Sequence, residues 1–182
     1  MIAGIGQGYH LTTPLQLATA TAMIANGGKR IEPRLVQAVR DPLTHVWQPQ
    51  PVVVHEQLPL KPEDLAVVRQ GMMDAMRPGG TAAAAAAGAP YTIAGKTGTA
   101  QVVGIKQGAR YDAGSLSLKN RDHALFIAYA PAENPTIVVA VMVENGGHGG
   151  STAAPIARAV FDYYLTGKRP GNMKAEGSDA SD

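Results

Sequence analysis

The chain contains no cysteine. Disulfide stapling and thiolate catalysis are therefore excluded, while the compartment stays open, because cysteine-free proteins occur on both sides of a membrane. Aromatic residues make up only 5% of the 182 residues. A core must then be assembled mainly from Ala, Val, Leu, Ile and Met. No apolar run approaches the roughly 18 residues that a membrane-spanning helix requires. The start, "MIAGIGQGYH", lacks the basic-then-apolar order of a signal peptide and reads as if it began inside structured chain. The net charge is only +2, and the sixteen basic residues are scattered without an aromatic platform. That gives no footprint for nucleic acid.

What is present reads as one domain of ordinary hydrophobic content, 45%. "TTPLQLATATAMIANGG" is a helix with both ends marked. Thr13 is its N-cap, Pro14 its first residue and Gln16 the partner in a capping box, with Gly27 and Gly28 as the stop. Residues 34–40 alternate polar with apolar as a strand, which Asp41-Pro42 ends and residues 44–48 pair with as a hairpin. A proline-rich connection follows, with a short strand at 52–54. Residues 62–76 form a second helix with Leu65, Val68, Met72 and Met76 on one face, the methionines serving as core filler. "TAAAAAAGAP" is a short helix capped by Thr81.

Residues 91–103 read as a strand, followed by a polar glycine-containing loop. "HALFIAYA" (123–130) and "TIVVAVMV" (136–143) are two strong strands in an antiparallel hairpin. The last helix spans 151–165, capped by Ser151 or Thr152, with Ile156, Val160, Phe161 and Tyr164 apolar and Gly167 as the stop. Residues 169–182 are polar, end acidic and read as a disordered tail. Loops, not crossover helices, join the strong strands. This favours α+β with an antiparallel sheet.

"IAGKTGTAQV" (93–102) carries the chemistry, and it admits two readings. A phosphate-binding loop needs glycine, four residues, then Gly-Lys-Thr. Counting back from Gly95, that glycine would stand at position 90, which is Pro90, and the segment continues as strand where a helix should begin. The second reading is the K-T-G motif of serine enzymes that recognise penicillin. On a strand, Lys96 and Gly98 point to one side and Thr97 and Thr99 to the other. Lys96 offers a fixed positive charge to a carboxylate or to proton transfer. Gly98 leaves room for a substrate lying against the strand, and edge N–H groups can bond a peptide-like substrate or an oxyanion.

Further segments match in order. "GIGQGYHLTTPLQLATATAMIANGG", "GGTAAAA" ahead of "IAGKTGTAQV", "RDHALFIAYAP", "IVVAVMVENGG" and a closing helix together resemble the transpeptidase domain of class B penicillin-binding proteins, within them the penicillin-binding protein 2 group of rod-shaped Gram-negative bacteria. The resemblance covers residues 1 to about 168 and implies the C-terminal part of such a domain, with a penicillin-binding protein/serine β-lactamase-like fold: an antiparallel sheet flanked by helices. It implies a peptidoglycan D,D-transpeptidase that cross-links stem peptides by serine acyl transfer and is trapped by β-lactams, with no cofactor. Carried over residue by residue, Lys96 lines the site, the hydroxyls of Thr97 and Thr99 bind the substrate carboxylate, the Thr99 N–H is an oxyanion donor and Gly98 gives clearance. It further implies a SEDS-type glycosyltransferase and the rod-shape complex as partners, and the periplasmic face of the inner membrane, reached through an anchor upstream of this chain. A non-catalytic module that binds peptide or a protein partner is the alternative.

The family's nucleophile lies in S-x-x-K and a second catalytic serine in S-x-N. The five serines are Ser115, Ser117, Ser151, Ser178 and Ser181. Lysine follows none of them at the third position and asparagine none at the second. The five histidines, His10, His45, His55, His123 and His148, read as polar loop and strand-end residues. There is no G-x-S-x-G elbow and no pair of histidines at metal-ligand spacing. Without a nucleophile no acyl-enzyme can form. The purified 182-residue chain is therefore expected to take no covalent label from a fluorescent penicillin on a denaturing gel, and a labelled band would show that one of these serines is a nucleophile.

Overall fold

The structure, a computed structural model, describes residues 11–104 and 116–170. His10, Ser115, Ser178, Ser181 and nearly all of the tail assigned to 169–182 lie outside the described residues, as does most of the polar loop after residue 103.

The first helix, α1 (Pro14–Ala25), begins as its sequence demands. The Thr13 hydroxyl accepts from the Gln16 N–H at 3.2 Å and Gln16 Oε1 accepts from the Thr13 N–H at 2.8 Å. Gly27 and Gly28 then turn the chain at φ +84° and +98°, the left-handed region that glycine enters without steric cost. Two small ribbons follow. β1 (Lys29–Ile31) pairs with β4 (Val54–Gln57), and β2 (Ala38–Arg40) pairs with β3 (Trp47–Pro49), both antiparallel. The hairpin expected from 34–40 and 44–48 forms, but its first strand is shorter. Leu35 stands in solvent with nothing to pack against, and the Arg34 side chain instead clasps the carbonyls of Gln50 and Pro51. Asp41 closes the turn by accepting from the N–H groups of Leu43 and Thr44, each at 2.8 Å. The strand expected at 52–54 starts only at Val54, where β1 supplies a partner.

α2 (Pro62–Asp74) carries Glu63 and Asp64 in its first turn, where acidic side chains favour the positive helix end. Met72 and Met76 are buried as core, Leu65 is half-buried, and Val68 is exposed, so only the C-terminal part of the expected apolar face is covered. α3 is a single turn, Ala83–Ala86, and it has no side-chain cap. The cap expected from Thr81 is therefore absent; the Thr81 hydroxyl bonds elsewhere, as described below.

The main sheet has three antiparallel strands in the order β5–β6–β7, formed by β5 (Ala94–Ala100), β6 (His123–Ala130) and β7 (Ile137–Val143). The α+β antiparallel architecture read from the sequence is the one observed. Side chains alternate between its faces. One face, with Ala124, Phe126, Ala128 and Ala130 of β6, packs on Ala154, Ala157 and Phe161 of the last helix and on Ala153 just before it. The other, with Ala94 and Tyr129, packs on Ala25 of α1 and Met72 of α2.

The last helix, α4 (Ala154–Thr166), is preceded by a wide π-helical turn, Gly149–Ala153, and has no side-chain cap. The Thr152 hydroxyl donates to the Gly146 carbonyl at 2.9 Å and the Ser151 hydroxyl to the His148 carbonyl at 3.3 Å, and the helix start has no side-chain cap bond from either. Of the four apolar residues named on this helix, Phe161 is buried, while Ile156, Val160 and Tyr164 are exposed. Alanines sit against the sheet instead, because their small side chains let helix and sheet approach closely. Gly167 ends the helix at φ +72°.

The π-helical turn lies tight against the sheet. A Cβ on Gly149 would stand 2.0 Å from the Leu125 carbonyl oxygen and 2.7 Å from that of Gly98. Both obstacles are backbone and cannot swing aside. Gly149→Ala is expected to destabilise the fold by about 1–3 kcal/mol or more, read as a lower urea midpoint at unchanged slope; an unchanged midpoint would mean that the turn does not press on the sheet.

Candidate active site

β5 brings the K-T-G residues to the edge of the sheet. Lys96, Thr97, Gly98 and Thr99 stand opposite Ile127, Phe126, Leu125 and Ala124 of β6. Among the described residues β5 has a strand neighbour on that side only. The pairing puts Gly95, Thr97 and Thr99 on the α4 face, in line with the buried even-numbered residues of β6. Lys96 and Gly98 lie on the α1 face.

The exposed Lys96 side chain curls along the strand. Its Nζ donates to the Thr97 carbonyl at 2.8 Å and lies 3.4 Å from Thr97 Oγ1. The Thr97 hydroxyl in turn donates to Thr81 Oγ1 at 3.2 Å. Lysine and the two threonines thus form a short polar row, Lys96–Thr97–Thr81. Beside it a cleft of about 400 Å³ opens toward α1, walled by residues 96–100 and floored by Leu17, Leu125, Ile127 and Met142. The Lys96 charge over this apolar floor, with Thr97 and Thr99 on the bordering strand, suits a carboxylate attached to an apolar body. A larger hollow of about 800 Å³ on the outer side of α4 is lined by Pro155, Ile156, Ala159, Val160 and Tyr163, with Arg169 its one charged residue.

The glycines of the motif answer to packing as well as to access. A Cβ on Gly95 would lie 2.6 Å from Phe126 Cζ, so glycine there lets the ring lie under the strand. A Cβ on Gly98 would lie 3.2 Å from Leu125 Cβ on one face, while Gly149 presses on the Gly98 backbone from the other. Gly98 is held between two layers.

The other polar candidates go to structural contacts. His55 Nε2 meets Glu32 Oε2 at 2.9 Å on the β1–β4 ribbon. His123 Nδ1 accepts from the Asn145 N–H at 2.9 Å, and the Ser151 hydroxyl bonds backbone. No serine–histidine pair forms among the described residues, and no three His, Cys, Asp or Glu side chains cluster there as metal ligands would.

One group behind the strand is invisible to motif reading. Tyr91, just before β5, donates its hydroxyl to Asp162 Oδ1 of α4 at 2.6 Å. Arg158 Nε donates to the same oxygen at 2.9 Å, and its Nη1 holds the carbonyls of Ala85 and Ala87 at 2.9 and 3.0 Å. The guanidinium also lies 5.7 Å over the Tyr91 ring, which meets Phe161 edge-on at 6.5 Å. This ties α3 and the entry to β5 onto α4. Arg158 and Asp162 stand at i,i+4 on one helix, the only local trace of the group in the sequence.

Burial pushes the Tyr91 hydroxyl well above its ordinary range, and Asp162 pushes it further. At Asp162 burial also acts upward, but the hydrogen bonds from Tyr91 and Arg158 and the charge of Arg158 outweigh it, so the carboxyl titrates below its usual range. A carboxyl lowered on folding adds stability above its unfolded pKa of about 3.9 and loses it as pH falls through the lower folded value. Asp162→Asn is expected to cost about 1–3 kcal/mol at pH 7 and progressively less as the pH drops below about 4. Urea unfolding across that range checks it: an Asn variant whose deficit does not shrink in acid would contradict the assignment.

Residues 1–162 match the family model of the penicillin binding protein transpeptidase domain. The chain is 41% identical over 168 residues to the peptidoglycan D,D-transpeptidase MrdA of Haemophilus influenzae, an alignment that covers 92% of this chain and 26% of that protein. The crystal structure of Pseudomonas aeruginosa PBP2 in complex with WCK 5153 is 39% identical and superposes with a TM-score of 0.73, over 98% of this chain and 36% of the other. Helicobacter pylori PBP2, solved as a complex with MreC, is 30% identical with a TM-score of 0.66, over 92% of this chain and 28% of the other. The chain spans about a quarter of the length of the curated relative. With the transpeptidase-domain model matched over residues 1–162 and relatives of about 40% identity aligned over most of this chain, the chain belongs to the penicillin-binding protein transpeptidase family.

Proposed function

We propose that this chain supplies the K-T-G wall of a serine D,D-transpeptidase site that cross-links peptidoglycan stem peptides and is acylated by β-lactams. The observation that carries the reading is the row Lys96–Thr97 on an edge strand above an apolar cleft, within a domain of this family.

In this reading the attacking serine comes from a segment outside these 182 residues. Its Oγ adds to the carbonyl of the penultimate D-Ala, and the terminal D-Ala leaves with the proton given up by the serine. The acyl group then passes to an amine of a second stem peptide, which restores the serine and forms the cross-link. The Lys96 ammonium and the hydroxyls of Thr97 and Thr99 hold the terminal carboxylate of the donor. The Thr99 N–H is one donor to the oxyanion of the tetrahedral intermediate. Gly98, pinned between Leu125 and Gly149, keeps that stretch of strand flat for the substrate to lie along.

Residues 1 to about 168 act as the C-terminal portion of the transpeptidase domain. The place of work is the cell envelope, at the periplasmic face of the inner membrane. No helix among the described residues is long and apolar enough to cross a membrane. The relative solved with MreC supports a role in the assembly that sets rod shape. A SEDS-type glycosyltransferase supplying the glycan strand is the partner enzyme in that scheme.

The test uses the gene product in which this chain is joined to a segment bearing S-x-x-K. Losing a charge-assisted hydrogen bond is expected to slow fluorescent-penicillin acylation of Lys96→Ala by about 10- to 100-fold. Labelling at the wild-type rate would remove Lys96 from the site.

A further inference from the structure

Thr97 does not stand alone on its face of the sheet. Its hydroxyl donates to Thr81 Oγ1 at 3.2 Å, and its methyl group packs toward the π-helical turn, where a Cβ on Gly150 would lie 3.5 Å from Thr97 Cγ2. The backbone of Thr81 is held rigidly. The Gly80 N–H donates to the Arg77 carbonyl at 2.8 Å and the Ala82 N–H to the Ala75 carbonyl at 3.0 Å. A Cβ on Gly150 would stand 2.4 Å from the Thr81 carbonyl oxygen. Arg158, bonded to Ala85 and Ala87, anchors the following turn to α4. The Thr81 side chain itself is exposed, so it fills no core volume and caps no helix. A rigid backbone that presents one exposed hydroxyl to Thr97 is the arrangement of a positioning residue.

We infer that Thr81 positions the Thr97 hydroxyl for the substrate carboxylate. This rests on the transpeptidase reading and deepens it. A lysine ammonium can only donate, whereas a threonine hydroxyl donates one hydrogen bond and accepts two. Thr97 Oγ1 lies within reach of Lys96 Nζ at 3.4 Å and of Thr81 Oγ1. Thr97 directs its one proton to Thr81. When a carboxylate arrives, that proton turns to the anion, and the Thr81 hydroxyl reverses and donates to the Thr97 oxygen. Lys96 and Thr81 then both donate to Thr97, which leaves its proton a single acceptor, the carboxylate. No bond is made or broken in this switch; two hydroxyl rotors turn.

The experiment is a double-substitution cycle in the gene product that carries the S-x-x-K segment, with acylation by a fluorescent penicillin resolved into binding and acylation constants. Loss of one neutral hydrogen bond is worth about a three- to tenfold change. Thr81→Val is expected to weaken penicillin binding by about that factor with little change in the acylation step. Thr81→Ser should restore it, and in a Thr97→Val background Thr81→Val should add nothing. A Thr81→Val protein as fast as wild type, or a Thr81→Val penalty that survives in Thr97→Val, overturns the inference. Thermal melts accompany each variant. Should the valine variant fail to fold, Thr81→Ala takes its place in the cycle, and failure of both makes Thr81 a structural residue and overturns the inference too. Wild-type protein that takes no label overturns the transpeptidase reading, and this inference with it.

Discussion

Backbone pressed on backbone behind the edge strand is the constraint on which this site depends. Gly149 lies against the Gly98 and Leu125 peptide groups with no room for a side chain, and Gly150 lies as closely against Thr81. An edge strand with a neighbour on one side would otherwise twist and fray, since half of its ladder is missing. The turn behind it prevents that by contact alone. Ala153 of the turn and Ala154 and Ala157 of α4 continue the same principle along the sheet, in one cluster with Ala124, Phe126 and Ala128. A chain poor in aromatics can build a firm core this way, because close-packed small side chains lose few contacts to voids.

The layer behind the strand also transmits its position. Tyr91, Asp162 and Arg158 join three elements through a charge-assisted and largely buried set of bonds. Removing one partner strands the others, which is why such groups cost more to break than their net contribution suggests. The consequence is local to the site. Arg158 grips the turn that follows Thr81, Thr81 meets Thr97, and Thr97 meets Lys96. The polar front of β5 and the helix packed behind it form one connected body.

Much of this was legible in the residues. β6 and β7 are continuous apolar runs bounded by polar or proline residues, and the structure draws them at 123–130 and 137–143, within a residue of expectation. The capping box of α1 is a purely local signal and forms as written. The family and its K-T-G strand were readable because several segments stand in order. What was not legible is long-range. The sequence names Ile156, Val160, Phe161 and Tyr164 as the large apolar residues of α4, yet Phe161 and the alanines are what face the sheet, since which side of a helix is covered is set by what lies opposite and not by hydrophobicity alone. Thr81 has the residue type of a helix cap, and only its neighbour across the sequence, sixteen residues on, makes it a partner of Thr97. The Tyr91–Asp162 bond joins residues 71 apart and leaves no local trace.

The central claim is that the strand bearing Lys96 receives the substrate carboxylate. The most direct measurement is a crystal structure of the S-x-x-K-bearing gene product acylated by a penicillin. The account predicts the ligand carboxylate within about 2.7–3.2 Å of the hydroxyls of Thr97 and Thr99, with the Lys96 ammonium beside them. An acylated ligand whose carboxylate points away from β5 would contradict it.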